Sequence, residues 1–186
     1  MVTIAELWQP ILLATVLVFV AGALLHTVLP LHNKDFRPLP DEAATLARLR
    51  EAKLAPGSYL FPSPTGPKDM GTPEFAAKMV QGPVGIAFLR KPGPVAMGGS
   101  LGLQALFHLV VSVFVAYLAG RTLGPGADYL RVFHVAGTTA TLAYSAGFFP
   151  FAIWFRPPAR FVMNHLIDGV IWGLLTAGAF GWLWPR

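Results

Sequence analysis

The sequence predicts an all-α membrane protein of four transmembrane helices, with a small mixed α/β extramembrane cap inserted between the first and second helices. Three observations lead there. Of 186 residues, 54% are hydrophobic and only 12% are charged, and the mean hydropathy of +0.57 lies far from that of a water-soluble domain. Apolar runs recur at about 8–29, 101–119, 132–155 and 161–184, each near or above the ~20 residues that a spanning helix needs. The polar residues, by contrast, gather in the stretch 32–99. The expected organisation is therefore a first membrane helix in 1–31, a cap in 32–99, and membrane helices two to four in 100–186.

The first helix is expected to be retained rather than cleaved. The first nine residues carry Glu6 and no Lys or Arg, and the apolar run that follows is too long for the hydrophobic core of a signal peptide. Pro30 should end it, which puts His32 at the headgroups. Within the cap, 41–54 has helical composition and is stopped by Pro56-Gly57. Thr72-Pro73-Glu74 is a start signal for a second short helix: a hydroxyl to cap it, a proline where no N–H is needed, and Gly82 as its stop. Residues 59–61 and 84–89 read as short strands.

The second membrane segment carries Gln104, His108 and Ser112 at four-residue spacing, a polar stripe that must face protein rather than lipid. The third is rich in Gly, Ala, Ser and Thr between Gly137 and Gly147, which suits close backbone approach; Pro150 predicts a kink or early end near its far side. The fourth spans roughly 35 Å as a helix and carries Asn164, His165 and Asp168 in its first two turns. An ionised carboxylate at that depth costs at least a few kcal/mol and needs a partner. On the same helix Gly169, Gly173, Ala177 and Gly181 make a small-residue ridge for helix packing, against the third helix or against a second copy of the chain.

Four segments place both termini on one side. Lys34, Arg37, Arg90, Lys91, Arg156 and Arg160 flank the side of the first and third loops, against Arg121, Arg131 and Arg186 on the other. The positive-inside rule then puts the cap in the cytoplasm and both termini outside. The charge of +5 and pI near 9.9 are explained by such flanking cations, and no nucleic-acid-binding motif accompanies them.

With no cysteines, disulfides, thiolate metal sites and cysteine nucleophiles are excluded. No Walker loop, nucleophile elbow or His-Glu-x-x-His is present, so no catalytic residues are assigned and the sequence leans away from an enzyme. One histidine falls in each membrane segment, and His26, His108 and His165 are expected at similar depth near the same interface, with His134 near the opposite one. Three imidazoles with a carboxylate could hold a metal ion, ligate a non-covalent b-type haem, or relay protons. For Asp168 the plainer role is a structural hydrogen bond to His165, Asn164 or Gln104, and for the histidines it is that of ordinary interfacial or hydrogen-bonded packing residues near helix ends.

Two stretches, His26-Thr-Val-Leu-Pro-Leu-His-Asn-Lys-Asp-Phe-Arg-Pro-Leu-Pro-Asp-Glu42 and Asp168-Gly-Val-Ile-Trp-Gly-Leu-Leu-Thr-Ala-Gly-Ala-Phe-Gly-Trp-Leu-Trp-Pro185, resemble a group of small multi-pass bacterial membrane proteins with no assigned activity. The resemblance covers most of the chain; it implies a bacterial inner membrane and brings no cofactor or partner.

Three functions stay open on the sequence. The leading one is a non-enzymatic accessory or assembly subunit of a larger membrane complex, whose partners are the bilayer and other membrane subunits or further copies of itself. The others are a His-lined metal or haem site, and conduction of protons or small solutes past Asp168, with Asn164 and Gln104 beside it.

Overall fold

A computed structural model describes residues 1–186 and is mostly helical. It resolves into two compact units: Met1–Phe36 with Ala96–Arg186, and Arg37–Val95. The five residues after Leu31 thus belong with the helical unit and not with the insertion, because a turn folds them back onto it.

The larger unit contains α1 (Trp8–Thr27), α4 (Met97–Thr122), α5 (Tyr129–Ser145), α6 (Phe148–Phe155) and α7 (Ala159–Trp182). Three of these, α1, α4 and α7, with 20, 26 and 24 residues, are long and apolar enough to cross a membrane. Large apolar side chains such as Leu12, Val16 and Val20 on α1, Phe114 on α4 and Leu174 on α7 point away from the protein, as a lipid-facing surface requires.

The third apolar segment, expected as one helix over 132–155, is divided. Helix α5 stops after 17 residues at Ser145, and α6 starts afresh at Phe148. Pro150 is the physical reason: in a continuous helix its ring would strike the carbonyl of Ala146 and leave that carbonyl without a donor. As the third residue of a new helix, it needs no N–H. Phe149 N–H instead closes a tight turn onto the Ala146 carbonyl at 3.2 Å. Arg156, in the left-handed conformation at φ 45°, ends α6, and Pro157-Pro158 separates it from α7.

Helix α5 packs on α7, α7 on α1, α1 on α4, and α4 on α5. The closest approach is α5 on α7, and glycine permits it. A Cβ on Gly169 would overlap Ser145 Oγ, one on Gly173 would overlap Thr141 Oγ1, and one on Gly181 would lie 2.7 Å from the Tyr129 ring. Gly137 on α5 in turn faces Ala177, whose Cβ would lie 3.0 Å from one on Gly137. The ridge of α7 is thus covered by α5 of the same chain, which takes up the face that a homodimer through it would use. Close van der Waals packing of this kind holds helices together where lipid removes any hydrophobic gain from their association.

The apolar core lies towards one end. Val2, Leu7 and Ile11 meet Val115 and Ala119 of α4, Val132 and Ala136 of α5, and Phe180 of α7. Both chain termini are fastened at this end: Val2 N–H donates to the Gly120 carbonyl at 2.9 Å, Gly126 N–H to the Pro185 carbonyl at 2.9 Å, and Trp184 Nε1–H to the Gly124 carbonyl at 3.0 Å.

The smaller unit holds α2 (Glu42–Glu51), β1 (Gly57–Phe61), α3 (Pro73–Gln81) and β2 (Gly85–Leu89). Asp41 caps α2 by accepting from Ala44 N–H, and Thr72 Oγ1 caps α3 by accepting from Phe75 N–H at 3.2 Å. Gly82 ends α3 at φ +62°, where a side chain would be strained. The strands pair antiparallel, Gly57 opposite Leu89 and Phe61 opposite Gly85.

Candidate functional site

The end of the larger unit away from the apolar core is where its polar side chains converge. Helix α1 runs out at Thr27, and Pro30, with no N–H to give, stops it from resuming. The chain then turns on itself, with Asp35 N–H donating to the His32 carbonyl at 3.0 Å. Helix α7 pins this turn: Asn164 Nδ2–H donates to the Leu31 carbonyl at 3.0 Å, and Arg160 Nη2–H donates to the same oxygen at 3.1 Å. The result brings His32 back over α1, its ring stacked on that of His26 with centroids 3.8 Å apart and planes 16° from parallel.

Both imidazoles address Asp168, one helical turn along α7 from Asn164. His26 Nε2 is 3.2 Å from Asp168 Oδ2, and His32 Nε2 is 3.2 Å from the same oxygen. The three ligating atoms of His26, His32 and Asp168 all lie within 4.8 Å of one another. The other nitrogen of His32, Nδ1, sits 2.6 Å from Asp35 Oδ2, and Asp35 Oδ1 accepts from Asn164 Nδ2–H at 2.6 Å. The side chains of His32 and Asp168 are 8% and 4% exposed, while that of His26 is 43% exposed and forms the accessible edge.

The two carboxylates constrain the chemistry. No Lys or Arg pairs with Asp35 or Asp168; the basic nitrogens that reach them are all imidazole. An ionised carboxylate only accepts hydrogen bonds, so His32 Nδ1 must carry a proton for Asp35. A neutral His32 would then present a lone pair at Nε2 directly to the Asp168 carboxylate, acceptor against acceptor. Either a second proton or a cation has to lie between them.

The histidines picked out from the sequence border one cavity of about 440 Å³, together with Gln104 and Asp168, but only His26 touches the carboxylate. His165 Nδ1–H donates to the Phe161 carbonyl, 2.9 Å away, and its ring stacks on Phe148 with centroids 4.6 Å apart. His108 is on the cavity's α4 wall, its Nε2 3.0 Å from Gln104 Nε2. Asn164 reaches Asp35 rather than Asp168. His134 borders a separate cavity with Phe133 and Leu174.

His32 and Asp35 are the residues that sequence reasoning did not place in the site. Reading Pro30 as the point where the chain leaves for the headgroups released His32 from the bundle. The available signal was local: a histidine and an aspartate three apart in a proline-flanked turn, a spacing that lets the pair bond to each other. No protein-family model, curated protein or solved structure matches the chain.

Proposed function

We propose that this chain is an integral membrane protein that binds a divalent transition-metal ion through His26 Nε2, His32 Nε2 and Asp168, with Asp35 orienting His32. The observation that carries the reading is His32 held between two carboxylates, which calls for positive charge at the Nε2 side. The spacing supports it on two of the three edges: three ligands at about 2.0–2.2 Å from one ion stand roughly 3.3 Å apart in a tetrahedral site, both imidazole nitrogens are 3.2 Å from the carboxylate oxygen, and all three atoms lie within 4.8 Å of one another. Asp35, His32 and the ion would form the carboxylate–histidine–metal arrangement that fixes a ligand's tautomer and raises its basicity. Two imidazoles and one carboxylate favour a borderline ion such as Zn²⁺ or Fe²⁺ over Ca²⁺ or Mg²⁺. Three protein ligands leave a position open beside the cavity, the pattern of an exchangeable or reactive site rather than a sealed one. Haem is a poor fit to the stacked pair, since rings 3.8 Å apart leave no room for a macrocycle between them.

In this reading α5 is the fourth crossing, both termini lie outside a bacterial inner membrane, and the 37–95 insertion is cytoplasmic, in keeping with Lys34, Arg37, Arg90 and Lys91. Metal binding is preferred to the accessory-subunit role because it rests on named atoms. A second reading uses the same atoms with a proton in place of the ion: His32 as imidazolium shared by Asp35 and Asp168, a proton-holding group of the kind that conduction past Asp168 would use.

The test is metal analysis of detergent-purified protein, with Co²⁺ as a spectroscopic substitute. One equivalent of Zn²⁺ or Fe²⁺, and intense visible Co²⁺ bands that vanish in His32→Gln and Asp168→Asn, are expected. Protein that takes up neither ion, and whose His32 shows both ring nitrogens protonated by ¹⁵N NMR, would sink the metal reading and leave the proton one.

A further inference from the structure

The insertion Arg37–Val95 folds without an interior. None of its residues is buried, although it keeps two helices and a hairpin. Ordering a chain costs conformational entropy that apolar burial normally offsets, and a lone two-stranded hairpin is marginal in water. The apolar surface of this unit must therefore be covered from outside.

The hairpin shows which surface that is. Paired residues of antiparallel strands project on the same side, so Leu60 opposite Ile86, and Phe88 opposite Ser58, share one face. The other face is occupied locally: the Phe61 ring lies over Gly85, 3.0 Å from a built Cβ, and Tyr59 Oη–H donates to the Ala55 carbonyl at 2.6 Å. On the first face Leu60 and Phe88 stay 49% and 59% exposed, and Arg90 and Lys91 follow directly.

Charge narrows the choice of cover. The unit carries eight Lys and Arg against five Asp and Glu. Its carboxylates are engaged within it: Asp41 caps α2, Asp69 accepts from Thr65 N–H at 2.9 Å, Glu51 pairs with Arg48 at 3.7 Å, and Glu42 and Glu74 lie in the first turns of helices. Arg90 and Lys91 have no carboxylate partner. Apolar side chains beside unpaired cations match an anionic lipid surface, which offers phosphates at one level and acyl chains just beneath. A free protein partner would lose translational and rotational freedom on docking. The bilayer is already near, because only Ala96 separates Val95 from α4, a helix long and apolar enough to cross it.

We infer that this unit docks on the surface of an anionic bilayer, with Leu60 and Phe88 at the boundary of headgroups and acyl chains and with Arg90 and Lys91 on lipid phosphates. The inference rests on the chain crossing a membrane and needs no ion at Asp168.

The test uses the full chain in nanodiscs, where incorporation itself checks the membrane reading. The chain has no cysteine, so Leu60→Cys, Phe88→Cys and Ala87→Cys each carry one nitroxide label, the first two on the lipid face and the third on the other. Collisions with oxygen, which concentrates among acyl chains, and with a neutral water-soluble nickel chelate then report depth. In phosphatidylglycerol discs the labels at 60 and 88 should meet oxygen and escape nickel, and the label at 87 should be the more readily reached by nickel. Each cation contributes roughly fivefold near an anionic surface, so Arg90→Gln combined with Lys91→Gln should lower the ratio of docked to free label about 30-fold there, and far less in phosphatidylcholine discs. Labels at both 60 and 88 that nickel reaches as readily as the one at 87 would overturn the inference. So would labels shielded from both reagents, as in a protein interface, spin–spin broadening that fades on dilution with unlabelled chain, or docking indifferent to the two cations.

Discussion

Asparagine at position 35 tests the cluster most sharply, because it keeps the shape of the side chain and removes one acceptor. Asp35 serves two donors, His32 Nδ1–H and Asn164 Nδ2–H, each at 2.6 Å. An asparagine has one carbonyl oxygen, so whichever way its amide turns, one of the two donors meets an NH₂ group. A buried donor left without an acceptor costs about 1–3 kcal/mol, and loss of an orienting carboxylate behind a metal-binding histidine lowers affinity by roughly 10- to 100-fold, which is about 1.4–2.8 kcal/mol. The two routes agree in size. Competition for Zn²⁺ between the purified protein and a chromophoric chelator should therefore show Asp35→Asn weaker by one to two decades, while Asp168→Asn, which removes a ligand, should be weaker still. A dissociation constant for Asp35→Asn within twofold of the unsubstituted protein, with Asp168→Asn strongly impaired, would show that His32 is not positioned by Asp35.

Other consequences can be checked separately. Gly173→Ala should lower thermal stability in detergent by an amount in the overpacking range of about 1–3 kcal/mol, because its Cβ would overlap Thr141. Gly178→Ala, which meets nothing within 4 Å, should be neutral or slightly stabilising. Thr72→Ala removes the cap of α3 and should cost about 1 kcal/mol, seen as faster amide exchange at Phe75. The exposed Asp69 carboxylate is held below its ordinary value of 3.8, chiefly by the Thr65 backbone N–H. A carboxyl that binds its proton more weakly when folded contributes stability above its unfolded value and loses it as pH falls through the folded one. The Thr65 amide resonance should thus pass the midpoint of its movement below pH 3.8, and should not show this titration in Asp69→Asn.

Much of the architecture was legible because it depends on short-range chemistry. Apolar length marks α1, α4 and α7; Thr72, Pro73 and Gly82 bound α3 by capping rules alone. The break in α5 was visible at Pro150 but its extent was not, since a proline can either kink a helix or restart it, and the contacts around Ala146 decide which. Asp168 and His26 announced themselves as polar groups in apolar runs. His32 and Asp35 did not, because they lie in a turn where polar residues are ordinary. Only the grip of Asn164 and Arg160 on the Leu31 carbonyl, a contact across 129 or more positions of sequence, folds that turn inward. Helical depth alone grouped His26, His108 and His165, and depth says nothing about which rings reach the same oxygen.

Within the helical unit, interlocking apolar side chains fill the terminal end, while hydrogen bonds and open volume occupy the other. A close-packed end has no free volume to give up, and a hollow one has. Lateral pressure from surrounding acyl chains would then act first on the width of the cavity. The lipid used for reconstitution therefore becomes an experimental variable in its own right, and occupancy near His26 and Asp168 should respond to bilayer composition before any global property of the protein does.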